Sequence, residues 1–222
     1  MAETELLFPK LVVLGASGKT GHQVVQQALK KGHSVTAVVR SPEKFYIKDT
    51  NLNVVQGDVF DPESLVQVLE GKNAVLSCLG FQNGTFFTPT TLYSKSMTSI
   101  TTAMEKSGVE RLLCLTGVYT QKDPSNPIWM DWLVRPLARS FMPDMALMEN
   151  IVMKSNLCYT IVRPPCLSEE PITANYLLAE GQSVPEGYGT VPRADVAHFM
   201  LASLQTKEWA KKGVAIDAKK KQ

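Results

Sequence analysis

Leu11-Val12-Val13-Leu14-Gly15-Ala16-Ser17-Gly18-Lys19-Thr20-Gly21 decides how this chain folds. Four apolar residues run into a glycine-rich turn, and an amphipathic stretch follows at once. The order is that of a buried parallel strand, a tight turn and a helix start, the place in a βαβ unit where a dinucleotide pyrophosphate sits. Gly15 allows the turn off the strand. Gly18 lets the backbone approach phosphate without a Cβ in the way, and Gly21 lets the helix pack close to the strand. Free N–H groups at the helix start then face the anion.

Outward from this turn, strand and helix patterns alternate. Residues 19–31 carry Val24, Val25, Ala28 and Leu29 at helical spacing, and Gly32 ends that helix. Residues 34–39 are rich in β-branched residues and predict a second strand, and 53–56 a third. Asp61-Pro62-Glu63 opens a helix to Leu69, with Asp61 as cap and Pro62 at the first helical position. Residues 74–79 predict a fourth strand, 89–107 a helix, 111–115 a fifth strand, 144–155 a helix and 159–162 a sixth strand. A helix over 193–205 and a short strand over 214–216 complete the pattern. The fold class this predicts is α/β: a doubly wound, Rossmann-like parallel sheet with helices on both faces. Residues 120–143 and 166–192 break the alternation, and both follow strand ends where such sheets bind ligands. They are the expected small substrate lobe of one domain spanning 1–222.

Bulk properties narrow the function classes. The chain has 222 residues, 44% hydrophobic and 20% charged, with a net charge of +2. That composition supports a packed core, and the near-neutral charge gives no footprint for nucleic acid or a membrane surface. Apolar runs are strand-sized, too short to span a bilayer. The start, MAETELLFPK, lacks the long apolar segment of a secretory signal, so a cytoplasmic location is expected. The 4 cysteines, Cys78, Cys114, Cys158 and Cys166, form no CxxC pair and have no histidine at ligand spacing, so no metal site is expected.

The end of the second strand bears on the choice of dinucleotide. An NAD site places Asp or Glu there to accept from the ribose hydroxyl. This chain has Val39-Arg40-Ser41, with Lys44 close behind. The guanidinium of Arg40 matches a phosphate, which favours NADP(H). Glu43 could pair with one of these cations and weaken that reading. Asp58, before Val59, could bond an adenine amino group or simply hold a turn. Leu79-Gly80, after the fourth strand, leaves room for a ribose.

Taken in order, GASGKTG, VVR, GDV, CLG, LTG and YTIVRPP resemble the atypical short-chain dehydrogenases with an NmrA-like NAD(P)-binding domain. Within them the chain is most similar to the biliverdin-IXβ reductase/flavin reductase group, over essentially its whole length. That resemblance implies an NADPH-dependent reductase transferring hydride to a flavin, a linear tetrapyrrole or a related conjugated molecule. It implies phosphate contacts from Gly15, Ser17, Gly18, Lys19, Thr20 and Gly21. It also implies 2′-phosphate contacts from Arg40 and Lys44, adenine contacts from Asp58 and Val59, and a ribose loop at Leu79 and Gly80. Pro164, Pro165 and Cys166 match the segment lining the nicotinamide, and Thr116 lies in the loop after the fifth strand.

The departures bear on catalysis. No Y-x-x-x-K pair is present: Met97 stands four after Tyr93, and Asp123 four after Tyr119. The Ser that flavin reductases carry after the fifth strand is replaced in Thr116-Gly117-Val118. A proton would come from Tyr119, Thr116 or solvent, with Tyr119 the first candidate. Trp129, Trp132 and Phe141 are candidates for an apolar wall against a flat substrate, or else for a small satellite core or an oligomer contact. The histidines lie on or beside helices, His198 as a packing residue. A monomer or weak homodimer is expected. A non-catalytic NADP(H)-sensing regulator, or a specialised reductase or isomerase, would show the same departures.

Overall fold

The computed structural model describes residues 7–80, 88–122, 128–129, 132–133 and 135–220. Strand β1 (Lys10–Leu14) sits at its centre, and the residues that carried the fold prediction alternate between two cores. Leu11 and Val13 face one, Val12 and Leu14 the other, and none is more than 1% exposed. A strand covered on both faces reads as an unbroken apolar run, as this one does.

Parallel partners flank β1: β2 (Ser34–Val39) on one side and β4 (Ala74–Ser77) on the other. Beyond β2 lies β3 (Leu52–Gln56); beyond β4 lie β5 (Arg111–Leu115), β6 (Cys158–Arg163) and β10 (Lys212–Ala218), all parallel. The chain winds one way from β1 to β3 and the other way from β4 onward. The switch point, where such sheets bind nucleotides, therefore lies between the carboxyl ends of β1 and β4.

Helices α1 (Lys19–Lys30) and α6 (Arg193–Ala202) pack together on one face. Helices α2 (Pro62–Leu69), α3 (Leu92–Ser107) and α5 (Met142–Lys154) cover the other, while α4 (Arg135–Leu137) is a single turn. Asp61 caps α2 as predicted, its carboxylate accepting from Glu63 N–H at 3.1 Å. Gly108 ends α3 in the left-handed region at φ 69°. The start of α3 is Leu92 rather than residue 89, because its cap comes from far away. Asp144 at the start of α5 accepts from the backbone N–H of Tyr93 at 2.8 Å and from the hydroxyl of Ser94.

The stretch 166–192 differs from the expected loop lobe. It holds β7 (Cys166–Ser168) and β9 (Thr190–Pro192), which pair in a small parallel sheet, and β8 (Tyr176–Glu180), which joins β10 antiparallel as the edge of the main sheet. Asp195, fully buried on α6, anchors the turn before β8 by accepting from Thr173 N–H, Thr173 Oγ1 and Ala174 N–H. Of the other expected lobe stretch, residues 123–127, 130, 131 and 134 lie outside the described residues.

Candidate functional site

At the switch point the chain closes on itself too tightly for side chains. Gly15 has φ +73°, and a Cβ there would lie 2.7 Å from the carbonyl oxygen of Cys78 on β4's exit. A Cβ on Gly21 would lie 2.2 Å from the carbonyl oxygen of Gly15. Both glycines serve as the sequence reading required. Gly18 N–H donates to Gly15 O at 2.9 Å and closes the turn. Gly18 then caps α1 with no side-chain bond to the helix start and no acidic residue in the first turn. A cradle of backbone with an uncapped helix N-terminus fits a pyrophosphate.

A cavity of about 300 Å3 extends from this turn over the ends of β2 and β3. Gly15, Ser17, Gly18, Arg40, Asp58, Val59, Leu79 and Gly80 all line it, so eight predicted residues meet in one place. Phe60 and Leu92 line it too and were not foreseen. Arg40 is exposed and, among the described residues, pairs with no carboxylate; Glu43 does not compete for it. Asp58 accepts from Phe60 N–H at 2.9 Å and so also holds the turn that leads into α2. Lys44 lies in a 3-10 turn, Pro42–Lys44, and is not among the lining residues.

A second cavity of about 520 Å3 shares Gly18, Cys78, Leu79 and Gly80 with the first and runs on over β5. Lys19, Thr20 and Thr116 line it as predicted. Its apolar wall is Tyr93, Leu115, Met145 and Leu167. That corrects the expectation for the aromatic residues after the fifth strand. Trp129 and Trp132 are 54% and 82% exposed and do not line this cavity, and Phe141 packs on the core beneath α5. Pro164, Pro165 and Cys166 are not among the lining residues either; the wall residue from that segment is Leu167. Pro164 instead accepts from Val118 N–H at 3.1 Å, and Cys166 is exposed. Burial pushes the thiol of Cys78, between the two cavities, up to about 12, so it is a neutral lining group.

Behind Thr116 lies a buried polar network. Thr116 Oγ1 donates to Glu149 Oε1 at 2.7 Å. Arg163 grips the same carboxylate through Nε at 3.0 Å and Nη2 at 2.7 Å, and its Nη1 donates to Gly181 O at 2.8 Å. Glu149 is fully buried, and its place on α5 between Met145, Met148 and Val152 is a core position. A glutamate on the apolar stripe of a helix was the signal that could have revealed it. Tyr119 lies apart. It has φ 59°, donates its N–H to Gln182 O at 3.1 Å and meets Trp129 edge to face at 6.3 Å; it is not among the lining residues.

An ion-pair bridge joins two residues that line the second cavity. Glu169, after β7, accepts from Lys19 Nζ and from Arg193 Nε, each at 2.9 Å. Arg193 first, and then Lys19, holds its carboxyl below the usual range. His198 lies away from the cleft, its Nδ1 hydrogen-bonded to the hydroxyl of Tyr176 at 2.8 Å. Burial pushes that phenol up to about 12. No group of metal-ligating side chains occurs among the described residues, and none of their helices is long and apolar enough to cross a membrane.

Known proteins are similar to this chain. A protein of Arabidopsis thaliana, uncharacterized and chloroplastic, is 30% identical over 98% of this chain and 80% of its own length. The photosystem II assembly factor Ycf39 of Synechocystis is 23% identical over 91% of this chain, which spans 60% of that protein. Among solved structures, a candidate NADH-flavin reductase of Streptococcus pneumoniae superposes with a TM-score of 0.72 at 25% identity, covering 95% of this chain and 99% of that one. The profile of the family described as NAD(P)H-binding matches residues 15–207, from the first glycine of the phosphate turn to beyond α6. This Rossmann-fold chain belongs to that NAD(P)H-binding family.

Proposed function

We propose that the chain is an NADPH-dependent reductase acting on a flavin, a linear tetrapyrrole or a related conjugated molecule. One observation carries the reading: the phosphate cradle opens on one side toward Arg40 and on the other into a cavity walled by Tyr93, Leu115, Met145 and Leu167. The first half suits the phosphorylated ribose of NADP(H), since a guanidinium stands where an NAD site has a carboxylate. The second half suits a flat apolar ring stacked beside the nicotinamide. When bound, the nucleotide supplies a hydride.

The chain's own residues bind, orient and exclude water. Gly15, Ser17, Gly18, Lys19, Thr20 and Gly21 hold the phosphates; Arg40 takes the 2′-phosphate, with Lys44 adding charge nearby. Thr116 has its proton directed at Glu149, so it offers the cavity a fixed acceptor that orients a donor group. The acceptor molecule takes its proton from solvent, and positioning provides most of the rate. A compartment that keeps thiols reduced, such as the cytosol, fits the free Cys78, Cys114, Cys158 and Cys166.

The test is NADPH consumption with FMN, with biliverdin and with a panel of quinones. Turnover supports the reductase. Tight NADP(H) binding with no turnover on any of them supports a non-catalytic NADP(H)-sensing regulator instead. That second reading draws on the commitment of the Thr116 proton to Glu149 and on the assembly-factor role named for the Synechocystis relative.

A further inference from the structure

We propose that Arg193 forms an anion subsite at the substrate end of the cleft, so that the molecule bound there is a flat conjugated compound bearing a carboxylate or phosphate. The inference rests on reading the cleft as a reductase site and narrows its substrate class.

Arg193 is the first residue of α6, where a cation works against the helix dipole. Asp195 in the same first turn makes no contact with it; its oxygens are engaged by Thr173 and Ala174. The Arg193 side chain is only 22% exposed and lines the larger cavity beside its apolar wall. Its Nε donates to Glu169, while neither terminal nitrogen has a hydrogen-bond partner among the described residues. A partly buried guanidinium whose terminal nitrogens are matched by no protein group among the described residues is suited to two-point binding of a carboxylate or phosphate.

The charges agree. Lys19 and Arg193 line this cavity, and among the described residues no carboxylate does. Glu169 at the rim serves both cations through the single oxygen Oε1. Lys19 belongs to the phosphate turn, so a bound dinucleotide accounts for it. Arg193 then remains for the second ligand, at a site whose other walls are apolar.

The test uses two pairs of probes that differ chiefly in charge: FMN with riboflavin, and 2-naphthoate with 2-naphthamide. Each is titrated into protein saturated with NADP+, with binding followed by fluorescence or calorimetry. In at least one pair the anionic member binds about tenfold more tightly or better, the scale of a charge-assisted contact. Arg193→Met reduces that ratio to about one, while Arg193→Lys keeps part of it. Glu169→Gln raises the ratio by removing the competing carboxylate. Retained NADP+ affinity shows that the variants are folded. The subsite is overturned if neither pair favours the anion or if the preference persists in Arg193→Met. It is equally overturned if that substitution costs NADP+ affinity and leaves the ratio unchanged. Should FMN accept no electrons from NADPH while naphthoate keeps its preference, the flavin reading falls and the subsite stands.

Discussion

The hydroxyl of Thr116 and the carboxylate of Glu149 are joined by a 2.7 Å hydrogen bond beneath the floor of the larger cavity, and both residues are buried. The bond ties the loop after β5 to the middle of α5. Arg163 neutralises the glutamate from β6. Replacing Glu149 by Leu leaves Arg163 buried without its charge partner, which costs about 3–5 kcal/mol of stability. The double variant Glu149→Leu/Arg163→Met recovers much of that loss. Urea unfolding of the three proteins measures both effects, and a loss under about 1 kcal/mol in the single variant would refute a structural role for the pair.

Arg40→Ala weakens NADPH binding about ten- to a hundredfold and leaves NADH binding nearly unchanged, since only the former carries the 2′-phosphate. Titration of both nucleotides decides it; equal losses would remove Arg40 from the phosphate site.

Gly21 and Gly80 separate fold from binding. A Cβ on Gly21 meets backbone at 2.2 Å, whereas one on Gly80 meets nothing within 4 Å among the described residues. Gly21→Ala therefore costs about 1–3 kcal/mol of stability together with nucleotide affinity. Gly80→Ala keeps its melting temperature and loses affinity alone, because Gly80 lines both halves of the cleft. A stable Gly21→Ala protein that still binds NADPH would contradict the close packing of α1 on β1.

Tyr119→Phe retains NADPH oxidation within about tenfold of the native rate on any substrate that turns over. General acid catalysis contributes about a hundred- to ten-thousandfold where it operates. A loss of that size with NADPH affinity intact would make Tyr119 the acid, reached through a change in the loop that now holds it outside the cavity.

Stability falls in mild acid. Burial holds His33 below its ordinary value of 6.5, outweighing the hydrogen bond to the Phe8 carbonyl. The unfolded chain therefore takes up the proton first, and the stability this neutral imidazole gives is complete above pH 6.5 and is lost as pH falls through its folded pKa. The urea midpoint of the native protein drops between pH 7.5 and pH 5 more than that of His33→Gln. Comparing the two cancels Asp217, whose carboxyl is raised by burial and acts in the opposite sense. Parallel pH profiles would show that His33 does not titrate differently on unfolding.

Most of the sheet could be read from the chain, because β1, β2, β4, β5 and β6 are buried, largely apolar runs and the helices between them carry a different periodicity. The Gly15–Gly21 turn and Asp61-Pro62 are local signals, written within a few residues of the turn and the cap they specify. Strand β8 was missed because it enters antiparallel, outside the alternation, at a sheet edge where its pattern is weak. The start of α3 was misplaced because its cap, Asp144, lies about fifty residues away in sequence. The first half of the cleft was legible for the same reason as the sheet: its lining residues sit at strand ends. The second half was not. Tyr93, Met145, Leu167 and Arg193 come from four separate elements, and only the tertiary fold brings them together.

The cap that Asp144 places on α3 also ties two walls of the larger cavity together. Tyr93, whose N–H it holds, and Met145, its own neighbour in the chain, both line the larger cavity. A single carboxylate thus cross-links the two helices that wall the slot, so a change at Asp144 reaches the cavity without touching its lining.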